Sequence, residues 1–349
     1  MIARRVVAFA LLVAVGAAIW LLLALFGGLG GDGQGSVAVR VAPGATVGEI
    51  GDLLERRGVV SSALFFELRA RIEGRSADLL AGDYLLAEGM SYGAALERLA
   101  AGPPPREVSR ITIPEGRSRR ETAALVRRLG LRGDYARASV RSAGFDPRRY
   151  GAPRETPTLE GFLFPATYEL ERGAVARELV AKQLASFRER FADVSLARAR
   201  RARLTPYDVL VIASMVEREA QLPRERPLIA AVIYNRLRGG IPLGIDATIR
   251  YSLGNWERPL RVSELARDTP YNTRLHTGLP PTPIGNPGLA SIEAAARPAR
   301  VPYLYYVVKP DTCGEHAFSS TAAQFERDVA RYNAARAARG GASPTACPG

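Results

Sequence analysis

The sequence of 349 residues has few of the side chains that bind metals, with only two cysteines, Cys313 and Cys347, and two histidines, His276 and His316. It contains no Cys/His cluster at metal-ligand spacing, no glycine-rich phosphate loop and no dinucleotide-binding fingerprint. We therefore expect no metal and no nucleotide cofactor. In an oxidising compartment the two cysteines could form a disulfide, but their spacing alone does not decide whether they pair.

Lysine is also scarce, because only Lys182 and Lys309 occur and arginine supplies the rest of the positive charge. The net charge is +13, yet the arginines are spread through amphipathic segments and no nucleic-acid-binding motif accompanies them. We therefore expect no nucleic-acid partner. A basic surface on an exported protein would suit acidic wall polymer or lipid headgroups, and an ordinary solvated surface explains the charge equally well.

Residues 6–26 form an uncharged apolar run. At about 1.5 Å per helical residue this run is long enough to cross a hydrocarbon core of roughly 30 Å, so we expect a single transmembrane helix. Arg4 and Arg5 precede it, which predicts a short cytoplasmic tail, residues 1–5, and export of everything that follows. The alternative is a cleavable signal peptide, whose apolar region is shorter, at about 7 to 15 residues. The predicted location is the inner membrane, with the working domains periplasmic.

A glycine-rich linker, residues 27–35, leads to a small module over residues 36–105 that ends in a proline run. Its pattern predicts two strands and three helices, in the order strand 37–41, helix 47–57, helix 60–72, strand 81–86 and helix 91–101. Thr46 and Glu49 have the spacing of a capping box, and Ser91 is a second candidate N-cap. We expect a small α/β subdomain.

The remainder, residues 106–349, predicts a second and larger domain of mixed α+β class. Its expected elements are strand 109–113, helices 119–129, 134–144, 174–191, 291–296 and 322–339, and strand 303–308. Residues 271–288 are rich in proline and glycine and are expected to form a loop.

Two glutamates, Glu217 and Glu219, lie in a stretch, residues 206–220, whose apolar side chains recur at helical spacing. Each glutamate borders the apolar stripe, where partial loss of solvent raises the pKa of a carboxyl group. The chemistry is therefore expected here. Periodicity does not decide between the two, and for either of them a solvated helix face is the structural alternative.

Six blocks of the sequence resemble, in order and spacing, the MltG or YceG-like family of endolytic murein transglycosylases. They are EGFLFPATY (160–168), ASMVERE (213–219), VIYNRLRGGIPLGIDATIRYSLG (232–254), YNTRLHTGLPPTPIGNPG (271–288), PYLYYV (302–307) and HAF (316–318). The resemblance runs from about residue 36 to 336. It implies a membrane-anchored protein with a small LysM-like subdomain, residues 36–105, and a catalytic YceG-like domain, residues 106–349.

The resemblance also implies the reaction, which makes the chain a carbon–oxygen lyase that cuts peptidoglycan within its glycan strands. Such enzymes break the bond between N-acetylmuramic acid and N-acetylglucosamine without water and leave a 1,6-anhydro end. One carboxyl group suffices, acting first as acid and then as base. In the V-E-x-E pattern of the family the second glutamate is catalytic, which assigns the role to Glu219 and leaves Glu217 supporting. By analogy with the family alone, peptidoglycan synthases at the membrane are candidate partners.

Other polar or aromatic side chains in the blocks are candidates for binding sugar hydroxyl and acetamido groups or stacking on pyranose faces. They are Glu217, Asn235, Asp246, Thr248, Tyr251, Tyr271, Asn272, Thr273 and His316. Each has a structural alternative: Asn235 could pin its helix, Asp246 could brace the next loop, and His316 could satisfy a backbone carbonyl. Ala166 and Ala247 depart from the usual FPDTY and DPT patterns, which affects local loop geometry more than function.

Two further functions remain open at this point. A muramidase-type hydrolase would use water in place of the muramyl C6 hydroxyl and would release reducing ends. A non-catalytic, membrane-anchored peptidoglycan-binding scaffold would not need Glu219 at all. Side chains two positions apart on a helix point in directions that differ by about 200°. Glu217 and Glu219 therefore cannot flank one sugar bond as the carboxylates of a retaining glycosidase do. This separation suits a reaction that needs a single carboxyl group.

Overall fold

The computed structural model describes residues 11–16, 34–104, 108–345 and 347. The chain divides into two compact units that separate between residues 106 and 107. Among the described residues no helix is long and apolar enough to cross a membrane. Most of the predicted span, 6–26, the predicted tail, 1–5, and most of the predicted linker, 27–35, lie outside the described residues. The described part of the span, residues 11–16, is helical with exposed side chains.

Over residues 34–104, the described part of the first unit after residue 16, the chain forms one antiparallel strand pair and three helices. The strands are β1 (Gln34–Val41) and β2 (Gly82–Glu88), and the helices are α1 (Val47–Arg56), α2 (Ala63–Ile72) and α3 (Tyr92–Ala100). Val39 and Val41 alternate with exposed neighbours and pack in the core with Tyr84 and Leu86 of the paired strand. This alternation is the period of a strand with one buried face.

Two of the predicted helix starts in this unit are confirmed by their capping contacts. The Thr46 hydroxyl accepts the amide of Glu49, whose carboxylate accepts the amide of Thr46, and Ser91 caps α3 through the amide of Ala94. The second helix begins at residue 63, three residues later than predicted, because Val59 and Val60 are buried in the turn before it. Likeness of this unit to LysM stays a prediction.

In its described residues, the second unit has two antiparallel strand pairs among its helices. The strands are β3 (Val108–Thr112), β4 (Thr167–Glu171), β5 (Tyr305–Val308) and β6 (His316–Ser319), with β3 paired to β4 and β5 to β6. The helices are α4 (Arg119–Arg128), α5 (Tyr135–Ala138), α6 (Ala176–Ala192), α7 (Ala197–Arg201), α8 (Pro206–Glu219), α9 (Arg226–Arg238), α10 (Asp246–Leu253), α11 (Val262–Leu265), α12 (Leu289–Ala296) and α13 (Ala322–Ala338). Short 3₁₀ helices cover Pro147–Tyr150 and Pro223–Glu225. The mixed α+β class is confirmed.

The predicted helix over residues 134–144 was wrong beyond its first turn. It ends after Ala138, because the carbonyl of Ser139 accepts the amide of Leu159 at 3.2 Å instead of an amide of its own helix. The Ser139 hydroxyl also bonds back to the carbonyl of Tyr135 at 2.6 Å, and serine commonly competes with helix bonds in this way.

Helix α8 lies at the centre of the core of the second unit. All residues from Val209 to Val216 are buried, and the helix packs against α9 and α12. A helix that is apolar on all sides belongs in the interior. Its last turn carries Glu217, Arg218 and Glu219, so these charged side chains are held by the most enclosed element of the unit.

Cys313 and Cys347 form a disulfide, which answers the question that their spacing left open. The bond ties the loop between β5 and β6 to the C-terminal tail. The amide of Asp311 in the same loop also donates to the carbonyl of Pro344 at 2.8 Å.

Candidate active site

Helix α8 brings Glu219 to the site through a well-defined start and end. At its start, Thr205 and Asp208 form a capping box and Pro206 occupies the first turn. At its end, Ala220 adopts an extended backbone, so the helix stops directly after Glu219. The glutamate is therefore the last helical residue, fixed in place by a buried helix and next to a change in chain direction.

The Glu219 side chain is half-buried and has one hydrogen-bond partner among the described residues. Its Oε2 accepts the hydroxyl of Tyr306 from β5 at 3.0 Å. Burial raises the pKa of Glu219, and the Tyr306 hydroxyl acts in the opposite direction. The pKa of Tyr306 is itself well above its usual value, because the ring is desolvated and faces a carboxylate. Tyr306 is thus a neutral donor, and Glu219 favours the protonated form more than an exposed glutamate does.

Behind Tyr306 lies a buried pair formed by His316 and Glu225. His316 Nδ1 is 2.7 Å from Glu225 Oε2, and the His316 amide donates to Glu225 Oε1 at 2.9 Å. A carboxylate can only accept, so Nδ1 carries the proton in this contact. The imidazole packs its ring edge-on to Tyr306, with centroids 5.2 Å apart. His316 therefore backs the tyrosine that contacts Glu219.

Glu217 faces a different part of the structure. Its Oε2 accepts the amide of Gly288 at 2.9 Å, and its Oε1 is 3.5 Å from Arg226. Its stem lies against Gly116, where a Cβ would come within 3.1 Å of Glu217 Cγ. Glu217 holds the loop before α12 against the core, which is the supporting role expected for it.

Asp246, Thr248 and Thr273 meet at the start of α10. Asp246 is its first residue and pairs with Arg274 at 2.7 Å, and its charge contributes to the raised pKa of Glu219. Thr248 and Thr273 are buried, with their hydroxyls 3.2 Å apart and the Thr273 hydroxyl accepting the amide of Ile245 at 3.0 Å. Asp246 faces the site, whereas the two threonines fix the turn beneath it.

The two candidate asparagines are committed to backbone carbonyls. Asn235 donates to the carbonyls of Val301 and Tyr303 at 2.9 and 2.8 Å, and the buried Asn272 donates to the carbonyls of Leu265 and Arg267 at 2.9 and 2.8 Å. Asn235 thus ties its helix to the segment before β5, and Asn272 braces a loop. In this arrangement neither amide is free to bind a sugar.

A buried glutamate outside the predicted site residues, Glu160, lies near Tyr251. Only 2% of Glu160 is exposed, and its carboxylate accepts the Tyr251 hydroxyl at 3.1 Å, Asn286 Nδ2 at 2.9 Å and the Arg119 amide at 2.9 Å. Burial raises its pKa to about 7. The available sequence signal was its position as the first residue of the block EGFLFPATY, directly before a buried apolar segment.

Tyr251 and Tyr271 stand together, with ring centroids 5.3 Å apart, beside a cavity of about 410 Å³. Trp256 lines the same cavity. The structure thus groups the predicted residues into two sets, one near each end of α10: Glu219, Asp246 and His316 lie near its start, and Tyr251 and Tyr271 lie near its end. Within the described residues no group of three or more His, Cys, Asp or Glu side chains is arranged to hold a metal ion.

The carboxyl group of Glu219, with Tyr306 beside it, can both donate and accept a proton at the same position. A half-buried carboxyl with a raised pKa is a competent general acid near neutral pH. Once it has lost the proton, the Tyr306 hydroxyl stabilises the carboxylate, which can then act as a base. Both steps are those required of a group that cleaves a glycosidic bond.

Comparison with known proteins adds the family context. The sequence model of the YceG-like family matches residues 39–331. The chain is 29% identical over 317 residues to the endolytic murein transglycosylase of Bacillus subtilis (strain 168), with 86% of each chain covered. It is 30% identical over 325 residues to the endolytic murein transglycosylase of Streptococcus pneumoniae (strain ATCC BAA-255 / R6), covering 85% of this chain and 58% of that protein.

Among solved structures, a 2.6 Å crystal structure of a YceG-like protein from Listeria monocytogenes is similar to this chain. The TM-score is 0.54 at 26% sequence identity, and the match covers 84% of this chain and 99% of the Listeria chain.

Proposed function

The chain belongs to the YceG-like family, and from this premise we propose that it is an endolytic murein transglycosylase that cleaves the bond between N-acetylmuramic acid and N-acetylglucosamine inside glycan strands. The environment of one side chain supports Glu219 as the catalytic residue. Glu219, at the end of the most buried helix, is half-buried, has a raised pKa and bonds the neutral Tyr306 hydroxyl. Cleavage of nascent strands in this way would end their elongation.

In the first step, Glu219 acts as the acid. Its carboxyl proton passes to the glycosidic oxygen while the bond between that oxygen and muramyl C1 breaks, so the N-acetylglucosamine side leaves as an alcohol. The carboxylate that results keeps the hydrogen bond from Tyr306, which is stronger to the charged form than to the neutral one. Tyr306 thereby stabilises the product state of the proton transfer.

In the second step the same carboxylate acts as the base. It removes the proton of the muramyl C6 hydroxyl as the oxygen bonds to C1, which forms the 1,6-anhydro ring and returns Glu219 to its protonated form. No water is consumed. Among the candidate residues, Asp246 lies near Glu219, whereas Tyr251 and Tyr271 lie by the far end of α10. These three are the proposed sugar contacts, while His316 packs against Tyr306.

Glu217 offers little support for a two-carboxylate mechanism. A retaining hydrolase needs two carboxyl groups about 5 to 5.5 Å apart on either side of the bond. Glu217 is instead committed to the Gly288 amide and Arg226. Glu217 therefore does not supply the second carboxylate of a retaining muramidase, which supports the intramolecular reaction. The raised pKa of Glu219 supports a catalytic role over a non-catalytic scaffold.

Mass spectrometry of purified peptidoglycan incubated with the full-length chain in detergent would test the proposal. We expect fragments from within strands that end in 1,6-anhydro-muramic acid. Glu219→Gln should remove them, and Glu217→Gln serves as the matched control two residues away. Reducing ends would identify a hydrolase. Full activity of the Glu219 variant would mean that another residue is the general acid.

Anchoring by residues 6–26 in the inner membrane, with both units in the periplasm, is part of the same proposal. The uncharged run and the arginines before it support anchoring. The module at residues 36–105 would act as a LysM-like spacer or glycan grip, and peptidoglycan synthases are the proposed partners at the membrane. If the anchor limits how far the catalytic domain can reach from the membrane, lengthening the linker at residues 27–35 should change the length of the glycan products. Unchanged product lengths would contradict this limit on reach.

A further inference from the structure

The cavity of about 410 Å³ beside Glu160 is separate from the Glu219 side chain and has no role in the proton transfers above. It lies between the start of α4, the end of α10 and the loop that follows α10. Its lining includes Arg120, Glu160, Tyr251, Gly254, Trp256 and Tyr271. Two connections relate it to Glu219: Arg218, the preceding residue in the chain, contacts Trp256, and α10 begins near Glu219 and ends at this cavity.

Trp256 is the first part of the cavity that points to a ligand. The guanidinium of Arg218 lies over its ring at 3.5 Å from the centroid, and the same guanidinium forms an ion pair with Glu121. The ring is therefore covered and held on one face, while the side chain remains half-buried and lines the cavity. The buried Nε of Arg218 has no acceptor among the described residues, which leaves a donor beside the ring unused.

The two tyrosines supply further aromatic surface. The Tyr271 hydroxyl pairs with Thr282 at 2.8 Å and the Tyr251 hydroxyl donates to Glu160, so both phenols are oriented by their own partners. Three aromatic rings around a cavity with polar groups is a lining that suits the face of a pyranose ring and its hydroxyl groups.

Arg120 adds a positive charge to a cavity whose lining also includes the carboxylates of Glu160 and of Glu121, which pairs with Arg117 and Arg218. Arg119 next to it is committed to the Ser139 hydroxyl, whereas Arg120 is exposed and makes no ion pair within the described part of the chain. Its guanidinium lies beside Gly254, the left-handed residue that ends α10, at the edge of the cavity. An unpaired guanidinium in that place favours a carboxylate ligand.

We propose that this cavity is a second subsite of the cleft, which holds a muramyl residue away from the bond being cut, with its sugar ring on Trp256 and a carboxylate of its stem peptide on Arg120. The proposal rests on the proposed function, because it names the peptide-bearing glycan as the ligand. Asp246 and Tyr251 are about 7.5 Å apart along α10, so the subsite would engage a neighbouring unit of the same strand. Such a subsite would favour cutting within a strand.

Fluorescence can test the proposal, because Trp20 and Trp256 are the only tryptophans of the chain. The full-length Trp20→Phe, Glu219→Gln variant in detergent leaves Trp256 as the single reporter and prevents turnover. It would be titrated with soluble glycan strands that carry stem peptides and with the same strands after an amidase has removed the peptides, which leaves only the lactyl carboxylate on each muramyl residue. We expect a saturable change in Trp256 emission with both ligands.

Adding Arg120→Gln should weaken binding of the peptide-bearing strands by about ten-fold and leave binding of the peptide-free strands unchanged. Arg128→Gln, which removes an exposed charge from the other end of α4, is the matched control and should change neither. Equal binding of both strands in the Arg120 variant and its parent would overturn the assignment of the peptide carboxylate.

The possible results distinguish failure of the proposed subsite from failure of the proposed function. If the unmodified chain cleaves these strands while Trp256 emission does not respond, the subsite is wrong and the proposed function stands. If the chain neither cleaves nor responds, the proposed function itself is contradicted. A response that depends on Arg120 only for peptide-bearing strands would support the subsite directly.

Discussion

Glu219 and Glu217 are chemically identical side chains two positions apart, and their surroundings give them different roles. Glu219 has lost solvent and bonds a single neutral hydroxyl, whereas Glu217 bonds a backbone amide and lies beside Arg226. Burial of Glu219 outweighs the opposing effects of the Tyr306 hydroxyl, His316 and Arg250, and so favours a retained proton. The proton needed by a general acid is therefore a consequence of where α8 ends.

Tyr306→Phe tests how the Glu219 proton is controlled. The Tyr306 hydroxyl lowers the pKa of Glu219, so its removal should raise that pKa and move the alkaline limb of the pH–rate profile to higher pH. Loss of a hydrogen bond to the developing carboxylate should also reduce kcat/KM about ten- to a hundred-fold. The profile of glycan cleavage against pH measures both effects.

Tyr305→Phe provides the matched control on the same strand. Tyr305 stacks on Phe325 with centroids 5.0 Å apart, and its hydroxyl has no hydrogen-bond partner among the described residues. This variant should keep the wild-type pH profile. An unmoved alkaline limb in Tyr306→Phe would mean that the tyrosine does not set the pKa of the acid.

Glu160 predicts a pH dependence of stability. Its pKa is about 7 in the folded chain against an ordinary 4.5, so between these values the folded state holds more protons than the unfolded state. The free energy of unfolding should therefore fall as pH rises from about 4.5 through about 7, by at most about 3 kcal/mol. Thermal melts at pH 5 and pH 8 measure the fall.

In Glu160→Gln this contribution should disappear, because the amide does not titrate. The variant will be less stable at every pH, since its amide nitrogen faces other donors, but its melting temperature should change less between the two pH values. A difference between pH 5 and pH 8 equal to that of the wild type would place the titration elsewhere.

The sequence pointed to the helix on which we propose the chemistry, but not to all of the residues around it. Helical spacing pointed to the pair of glutamates, and the family resemblance was needed to choose Glu219. Glu160 was missed because its partners, Tyr251 and Asn286, are 91 and 126 residues away in the chain. Burial created by such distant contacts leaves no periodic pattern to find.

At the scale of elements, helix starts were predicted correctly where the capping residues lie within three positions of each other in the sequence. The Thr46 and Glu49 capping box and the Ser91 cap were readable from short spacings and formed as predicted. The helix predicted over residues 134–144 failed because a distant amide, that of Leu159, takes the carbonyl that would have extended it. Strands β4 and β6, of five and four residues, were not predicted, although their partner strands were.

Thr205→Ala tests whether α8 is held mainly by its core packing. The side chain accepts the Asp208 amide at 3.1 Å, so its loss should lower the free energy of unfolding by about 1 kcal/mol. Glu219 lies at the opposite end, about 20 Å away along the helix, so kcat should stay within about two-fold of wild type. Denaturant unfolding and cleavage assays measure the two effects.

Thr321→Ala removes the corresponding cap from α13 and is the matched control. It should cost similar stability and leave activity unchanged. A large loss of kcat in Thr205→Ala alone would show that the start of α8 positions Glu219 more directly than its packing suggests.

At the scale of the whole chain, covalent and non-covalent ties converge on the segment that carries Tyr306 and His316. The disulfide joins the loop between β5 and β6 to the C-terminal tail, and Gly314 in this loop lies against the side chain of Gln221, which follows Glu219 by two residues. The two-domain organisation was expected from length and composition. The pairing of the cysteines needed the fold, because only the folded chain brings residues 313 and 347 together.

Cys313→Ser with Cys347→Ser should lower the free energy of unfolding by about 2–4 kcal/mol, because a link across 34 residues no longer restricts the unfolded chain. Denaturant midpoints with and without reductant measure this. Reductant should shift the midpoint of the wild type towards that of the double serine variant and leave the variant unchanged. A wild-type midpoint that ignores reductant would mean that the bond adds no stability.

The central claim is that one carboxyl group, Glu219, closes a muramyl C6 hydroxyl onto C1 without water. Mass spectrometry of peptidoglycan digested by the full-length chain and by its Glu219→Gln and Glu217→Gln variants tests this claim most directly. We predict 1,6-anhydro-muramic acid at new ends within strands for the wild type and the Glu217 variant, and a loss of about 10²- to 10⁴-fold for the Glu219 variant. Reducing ends, or anhydro ends formed equally well by Glu219→Gln, would contradict the account.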